Sequence, residues 1–347
     1  MNSLDRTETG TDGVKLSGFL AGALGLCLVL AIAGVILAQE YGFPAIIAVP
    51  VVAAFCWQAL LYCVAVSDAA RAAVARALTP PRLATALVAA SIAPYAIYSV
   101  PTGLFSWTSL FQLVLLCTCV AFLYVLFPVR KWRFTWQDGV VICVLAFPMI
   151  SGLSSLFRDI FQGFDPPANR LDSLGKLMLI PLGLFVFLVL RRLQGTGFRL
   201  FPARSDWQPA LSSGGYGLPW LLLVGLLTGF LQWDPPIDNP LAALGSACGK
   251  LLGIYFTTAL AEEFLLRGVV QNLMAASTGR PVLAQACSAL LFGAVHLGRG
   301  AFPNLPHATS AAVLGWFCGR AYRQSGSVTA AMITHALAVA GQELFFR

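Results

Sequence analysis

Residues 241–268, LAALGSACGKLLGIYFTTALAEEFLLRG, form an apolar run that closes on two adjacent carboxylates, Glu262 and Glu263, and a guanidinium, Arg267. Its length suits a membrane-crossing helix, which needs about 20 mostly apolar residues for a hydrocarbon core of about 30 Å. Each unpaired charge in such a helix costs roughly 2.5 to 3.5 kcal/mol on insertion scales, so the EEFLLRG turn requires a compensating interaction. Glu263 and Arg267 are four apart on a helix and share a face, which predicts an ion pair between them. Glu262 is turned about 100° from Glu263. Its charge is left over.

The rest of the chain has the same apolar character. Its 347 residues are 58% hydrophobic and 11% charged, with a mean hydropathy of +0.78, values that exclude a soluble globular domain. Apolar runs lie near 16–38, 43–66, 83–100, 107–128, 138–156, 174–190, 216–233, 241–265, 281–298, 305–322 and 327–345. None shows the alternation of a membrane barrel, so each is expected to be helical, the other way to satisfy a backbone in lipid. The predicted fold is an all-α polytopic membrane protein of about eleven transmembrane helices, with a C-terminal catalytic bundle. Pro148 and Pro181 are expected to kink their helices.

The formal charge of +7 does not signal nucleic acid, because the basic residues sit in short loops between apolar runs. Arg71, Arg76 and Arg82 follow the second run, Arg130, Lys131 and Arg133 the fourth, and Arg191, Arg192, Arg199 and Arg204 the sixth. The intervening loops are poorer in Lys and Arg, and 233–240 contributes only Asp234 and Asp238. By the positive-inside rule the N-terminus is cytosolic. Residues 1–15 read as a cytosolic tail, and the setting as the cell membrane of a bacterium. Trp107, Trp132, Trp136, Trp220 and Trp233 fall near run ends, where an aromatic belt belongs. The polar connection from 194 to 217 divides an N-terminal transmembrane bundle of unknown role, 16–195, from a C-terminal domain, 196–347. Nine cysteines, all within or beside apolar runs, read as small buried hydrophobes; Cys117 and Cys119 point to different faces of a helix.

The chemistry concentrates in the C-terminal domain. After a turn at Ser277-Thr278-Gly279-Arg280 the next run returns antiparallel and carries His296; Glu263 lies 17 residues before Arg280 and His296 lies 16 after it. At about 1.5 Å per residue the two reach matching depth. His335 follows a second turn, Gln324-Ser325-Gly326-Ser327, by about nine residues and also reaches mid-membrane. The chain has three histidines, His296, His307 and His335, all in this region. Intramembrane ionisable groups are functional by default. His307, beside Pro306 at a run margin, is read as structural. A carboxylate beside an imidazole can deprotonate a water that attacks a carbonyl, while a second histidine donates to the oxyanion. This is peptide hydrolysis without a covalent intermediate. No G-x-S-x-G or H-E-x-x-H motif is present.

Three motifs in order, Glu262-Glu263-x-x-x-Arg267, Phe292-x-x-x-His296 and His335, resemble those of the CPBP intramembrane proteases. These include the type II CaaX prenyl endopeptidases and bacterial abortive-infection-type relatives. The resemblance spans about 200–345. It implies that Glu262 activates water with His296, that Glu263 pairs with Arg267 to organise the site, and that His335 belongs to the oxyanion pocket. It also implies that Phe292 packs at the substrate site. The family commonly has Asn one turn after the third-motif His; here that residue is Val339, with Gln342 a possible substitute donor.

The expected activity is a glutamate-dependent CAAX-type intramembrane endopeptidase that needs no metal. Its partners would be a membrane protein or lipidated peptide substrate and membrane lipids, with no nucleic acid. A zinc site of Glu262, His296 and His335 is a minor alternative. The rival functions are a catalytically weak or inactive scaffold or immunity protein of the same fold, and a proton-coupled transporter. The transporter reading lacks an inverted repeat.

Overall fold

The structure is a computed structural model, and it describes residues 5–129, 132–150, 155–164, 171–235, 240–300 and 302–346. Arg130, Lys131, Asp238 and the first four residues of the expected tail lie outside the described residues. The chain divides into two compact units, one of residues 1–129 and 155–192 and the other of 130–154 and 193–347.

The first unit contains α1 (Asp5–Glu40), α2 (Ala45–Val66), α3 (Asp68–Ala77), α4 (Pro80–Ser99) and α5 (Trp107–Leu126). α1 thus takes in most of the stretch read as a tail. Local chemistry sets the boundaries: the Ser67 hydroxyl accepts from Ala70 N–H at the start of α3, and Pro80 and Pro81 occupy the first turn of α4. Both arrangements satisfy or remove N–H groups that a helix start leaves without intrahelical partners. The core holds Tyr95, Tyr98, Leu113 and, further along the chain, Leu174, Met178 and Leu182.

The second unit begins with α6 (Trp136–Ala146), which gives way at Pro148 to a 3-10 turn, Phe147–Met149. The first unit resumes with α7 (Leu156–Ile160) and α8 (Asp172–Phe185), whose interior contains Pro181 and which runs on into a π-helical turn, Val186–Leu190. The second unit then continues with α9 (Arg204–Leu227) and a 39-residue helical run, Pro240–Thr278. That run comprises α10 (Pro240–Ile254), a π-helical segment (Tyr255–Ala259), α11 (Leu260–Glu263), a second π-helical segment (Phe264–Gln271) and α12 (Asn272–Thr278). The helix that was expected to stop near 265 therefore continues through EEFLLRG to the predicted turn. There Gly279 adopts φ 66° and Pro281 opens α13 (Pro281–Val295). α14 (Leu305–Ser325) and α15 (Val328–Phe345) complete the unit. α14 packs on α9, α13 and α15.

Among the described residues seven helices are long and apolar enough to cross a membrane: Gly18–Glu40, Ala45–Val66, Trp107–Leu126, Asp172–Leu190, Arg204–Leu227, Pro240–Thr278 and Val328–Phe345. The other four predicted runs are helical too. α6 and α13 are apolar but shorter, and α4 and α14 are long but less apolar. All five tryptophans expected at run ends are exposed. All nine cysteines are free, and Cys117 is buried while Cys119 is exposed, on different faces of α5. With these spans the chain is an all-α integral membrane protein.

Candidate active site

Glu262 and Glu263 end α11, the short turn between the two π-helical segments. π-helical insertions widen a helix locally and recur at functional sites. Here the Leu266 carbonyl accepts from the Ser288 hydroxyl of α13 at 3.0 Å. Glu263 and Arg267 are both completely buried, and the expected ion pair is present, with Arg267 Nε 3.0 Å from Glu263 Oε2. The two are in contact but not aligned as a hydrogen bond; Arg267 Nε and Nη1 and Glu263 Oε2 have no hydrogen-bond partner among the described residues. Arg267 Nη2 instead donates to the Gly315 carbonyl at 2.7 Å, and its guanidinium lies 5.1 Å from the centre of the Phe292 ring. One turn on, Gln271 Nε2 donates to the Gly319 carbonyl at 3.0 Å.

Both acceptor residues are glycines in tight contacts. A Cβ at Gly319 would stand 2.8 Å from Gln271 Oε1, and one at Gly315 would stand 2.9 Å from Phe292 Cδ1. Gly315 thus makes room for Phe292 and Ala289 of α13, and Gly319 for Gln271 and Gln285.

The second oxygen of Glu263 reaches the last helix. Its Oε1 accepts from Nδ1 of His335, which is 3% exposed, at 2.8 Å. Because a carboxylate can only accept, this contact places a proton on Nδ1 and turns Nε2 toward the site. Nε2 lies 3.8 Å from Glu262 Oε2, and the Glu262 side chain remains 27% exposed. Glu262 is thus the carboxylate left open.

His296 caps the end of α13, where its Nδ1 donates to the Phe292 carbonyl at 2.7 Å. Among the described residues no hydrogen bond is made by its Nε2. Phe292 touches both imidazoles, with ring centres 4.7 Å from His296 and 5.7 Å from His335. Glu262 acts on His296 electrostatically, as do His335 and Arg299, while the nitrogen that Glu262 approaches most directly belongs to His335. All six residues singled out from the sequence, Glu262, Glu263, Arg267, Phe292, His296 and His335, therefore come together. Val339 and Gln342 are part-exposed on α15 beyond His335.

Two neighbours were not anticipated. His307, read as structural, has its ring 5.0 Å from that of His296 and stacks on Phe230 at 4.7 Å. The confinement of every histidine to this quarter of the chain was the available signal. Cys318 is buried against Glu263 and His335, and the three offer ligand atoms all within 4.8 Å of one another, a spacing that could hold a metal ion. This set shares only His335 with the zinc alternative read from the sequence. Cys318 lies on α14, far in sequence from its partners and without a motif to mark it.

Residues 218–341 match the family described as type II CAAX prenyl endopeptidase Rce1-like. The match contains every site residue named above except Gln342, and it agrees with the CPBP resemblance of the motifs. No curated protein and no solved structure matches the chain. The segment that carries the site is an Rce1-like domain, of a CAAX-type intramembrane protease family.

Proposed function

We propose that the protein is an intramembrane endopeptidase that hydrolyses a peptide bond of a membrane-associated substrate with water activated by Glu262. The observation that carries this reading is the unequal treatment of two adjacent carboxylates. Glu263 is buried between Arg267 and His335, whereas Glu262 is part-exposed with Oε2 3.8 Å from His335 Nε2.

In the proposed reaction Glu262 takes a proton from water while His296 Nε2 orients it, both acting as acceptors. The water oxygen bonds to the carbonyl carbon, and the π electron pair moves to the carbonyl oxygen. His335 Nε2–H then donates to that oxyanion. Collapse breaks the C–N bond, and the proton held by Glu262 passes to the leaving amine. For Nε2 to donate, His335 must carry a second proton.

The same contacts support a mechanism without a metal. Both Glu263 oxygens are engaged, one by Arg267 and one by His335 Nδ1, so a cation among Glu263, Cys318 and His335 would displace a hydrogen bond and face a guanidinium. The family description favours a substrate with a lipidated C-terminal segment, and the basic loops favour a cytosolic N-terminus.

The test compares the membrane proteome of a deletion strain complemented with the wild-type protein or with Glu262→Ala. Precursors that accumulate with Glu262→Ala identify the substrate; processing at the wild-type rate would overturn the reading. Val339, where the family commonly has an amide, favours a second reading as an inactive scaffold. In that case Glu262→Gln would preserve the cellular phenotype.

A further inference from the structure

The three histidines of the chain lie in one row of ring contacts, His335, Phe292, His296, His307 and Phe230. Two of them have Nδ1 committed, His335 to Glu263 and His296 to the Phe292 carbonyl. The third does not. Among the described residues no hydrogen bond reaches either ring nitrogen of His307; its backbone N–H donates to the Asn304 side chain at 3.1 Å. A half-buried imidazole without a polar partner is costly unless a ligand or water supplies one.

The ring is nevertheless held in place. Phe230 stacks on one side at 4.7 Å and 28°, and His296 lies 5.0 Å away. Arg299 acts electrostatically on both imidazoles, and His307 sits in the first turn of the 21-residue α14. The Arg299 charge and the helix N-terminus favour an electron-rich partner. A neutral imidazole there keeps one N–H to donate.

We infer that His307 is a substrate-binding residue of the same site, a hydrogen-bond donor to a backbone carbonyl of the substrate beside His296. The inference rests on the proposed peptidase reading and extends it to a residue outside the three motifs. The chemistry it recognises is a peptide carbonyl next to His296, and the row Phe230–His307 forms the wall against which that part of the substrate lies.

The test uses the full-length protein in its host membrane, in a deletion strain complemented with wild type, Glu262→Ala, His307→Phe or His307→Gln. The rate at which new peptide termini appear in membrane proteins is followed by mass spectrometry. His307→Phe keeps an aromatic ring against Phe230 but removes the donor, whereas His307→Gln removes the ring and restores an N–H. The expected result is no termini with Glu262→Ala, formation slowed at least tenfold with His307→Phe, and a rate within a few-fold of wild type with His307→Gln. Thermal unfolding of each purified variant checks that the protein is intact. Glu262→Ala inactive with His307→Phe at the wild-type rate overturns this inference and leaves the peptidase reading standing. A His307→Gln variant as slow as His307→Phe also overturns the donor role. Wild-type rates with Glu262→Ala, or no termini that depend on the wild-type protein, overturn both.

Discussion

Glu263 joins Arg267 to His335: Oε2 lies 3.0 Å from Arg267 Nε and Oε1 lies 2.8 Å from His335 Nδ1. One buried carboxylate thereby links the second π-helical segment to α15 and orients the imidazole whose other nitrogen faces Glu262. Replacing Glu263 with Gln should leave Arg267 and His335 without their counter-charge. Breaking a buried pair from one side costs about 3–5 kcal/mol. A large drop in thermal stability in detergent, together with loss of cleavage, is expected. Unchanged stability would mean that the pair contributes little to the fold.

Glu262→Gln is expected to behave differently, because its side chain is part-exposed and makes one longer contact. Stability should stay near wild type, while turnover falls by about a hundredfold or more, the scale of a lost general base. Purified protein and a substrate identified by the proteome comparison suffice for the measurement.

Metal dependence separates two uses of the same residues. If the site works through its carboxylates and imidazoles, chelation should leave activity intact and Cys318→Ala should retain it within a few-fold. Stoichiometric zinc in protein purified without added metal, with activity lost on chelation and restored by zinc, would instead point to the Glu263, Cys318 and His335 set.

Gly319→Ala should destabilise by about 1–3 kcal/mol, the cost of overpacking a tight contact, because its Cβ would meet Gln271 Oε1 and Gln285 Cγ at 2.8 Å. Gly249→Ala on α10 is the control. Nothing lies within 4 Å of its added Cβ, so thermal unfolding should be unchanged or slightly raised.

The apolar runs made the helical fold legible, since length and hydropathy decide membrane crossing with little help from tertiary context. The Glu263–Arg267 pair was legible from spacing, and the turn at 277–280 from its glycine and proline. The role of Glu263 toward His335 was not, because those residues are 72 apart in sequence and no local periodicity relates them. The same holds for Cys318. His307 was set aside for its position beside Pro306, yet α14 begins there and its packing on α13 brings the ring to His296. The π-helical segments on either side of Glu262 and Glu263 left no separate signal either. A 3.6-residue period assumes a regular helix, and these turns depart from it.

The helical run Pro240–Thr278 also has a consequence for the lipid around it. Its 39 residues extend roughly 58 Å at 1.5 Å per residue, nearly twice an average hydrocarbon core. A helix so mismatched to its bilayer must tilt, bend or carry an end out past the headgroups. Glu262 stands roughly 33 Å from one end and 24 Å from the other by the same rise, so its immersion depth follows the tilt. Bilayer thickness would then set how far the water-activating carboxylate sits from water. In vesicles of increasing acyl-chain length the cleavage rate should change, even though no lipid touches the reacting atoms.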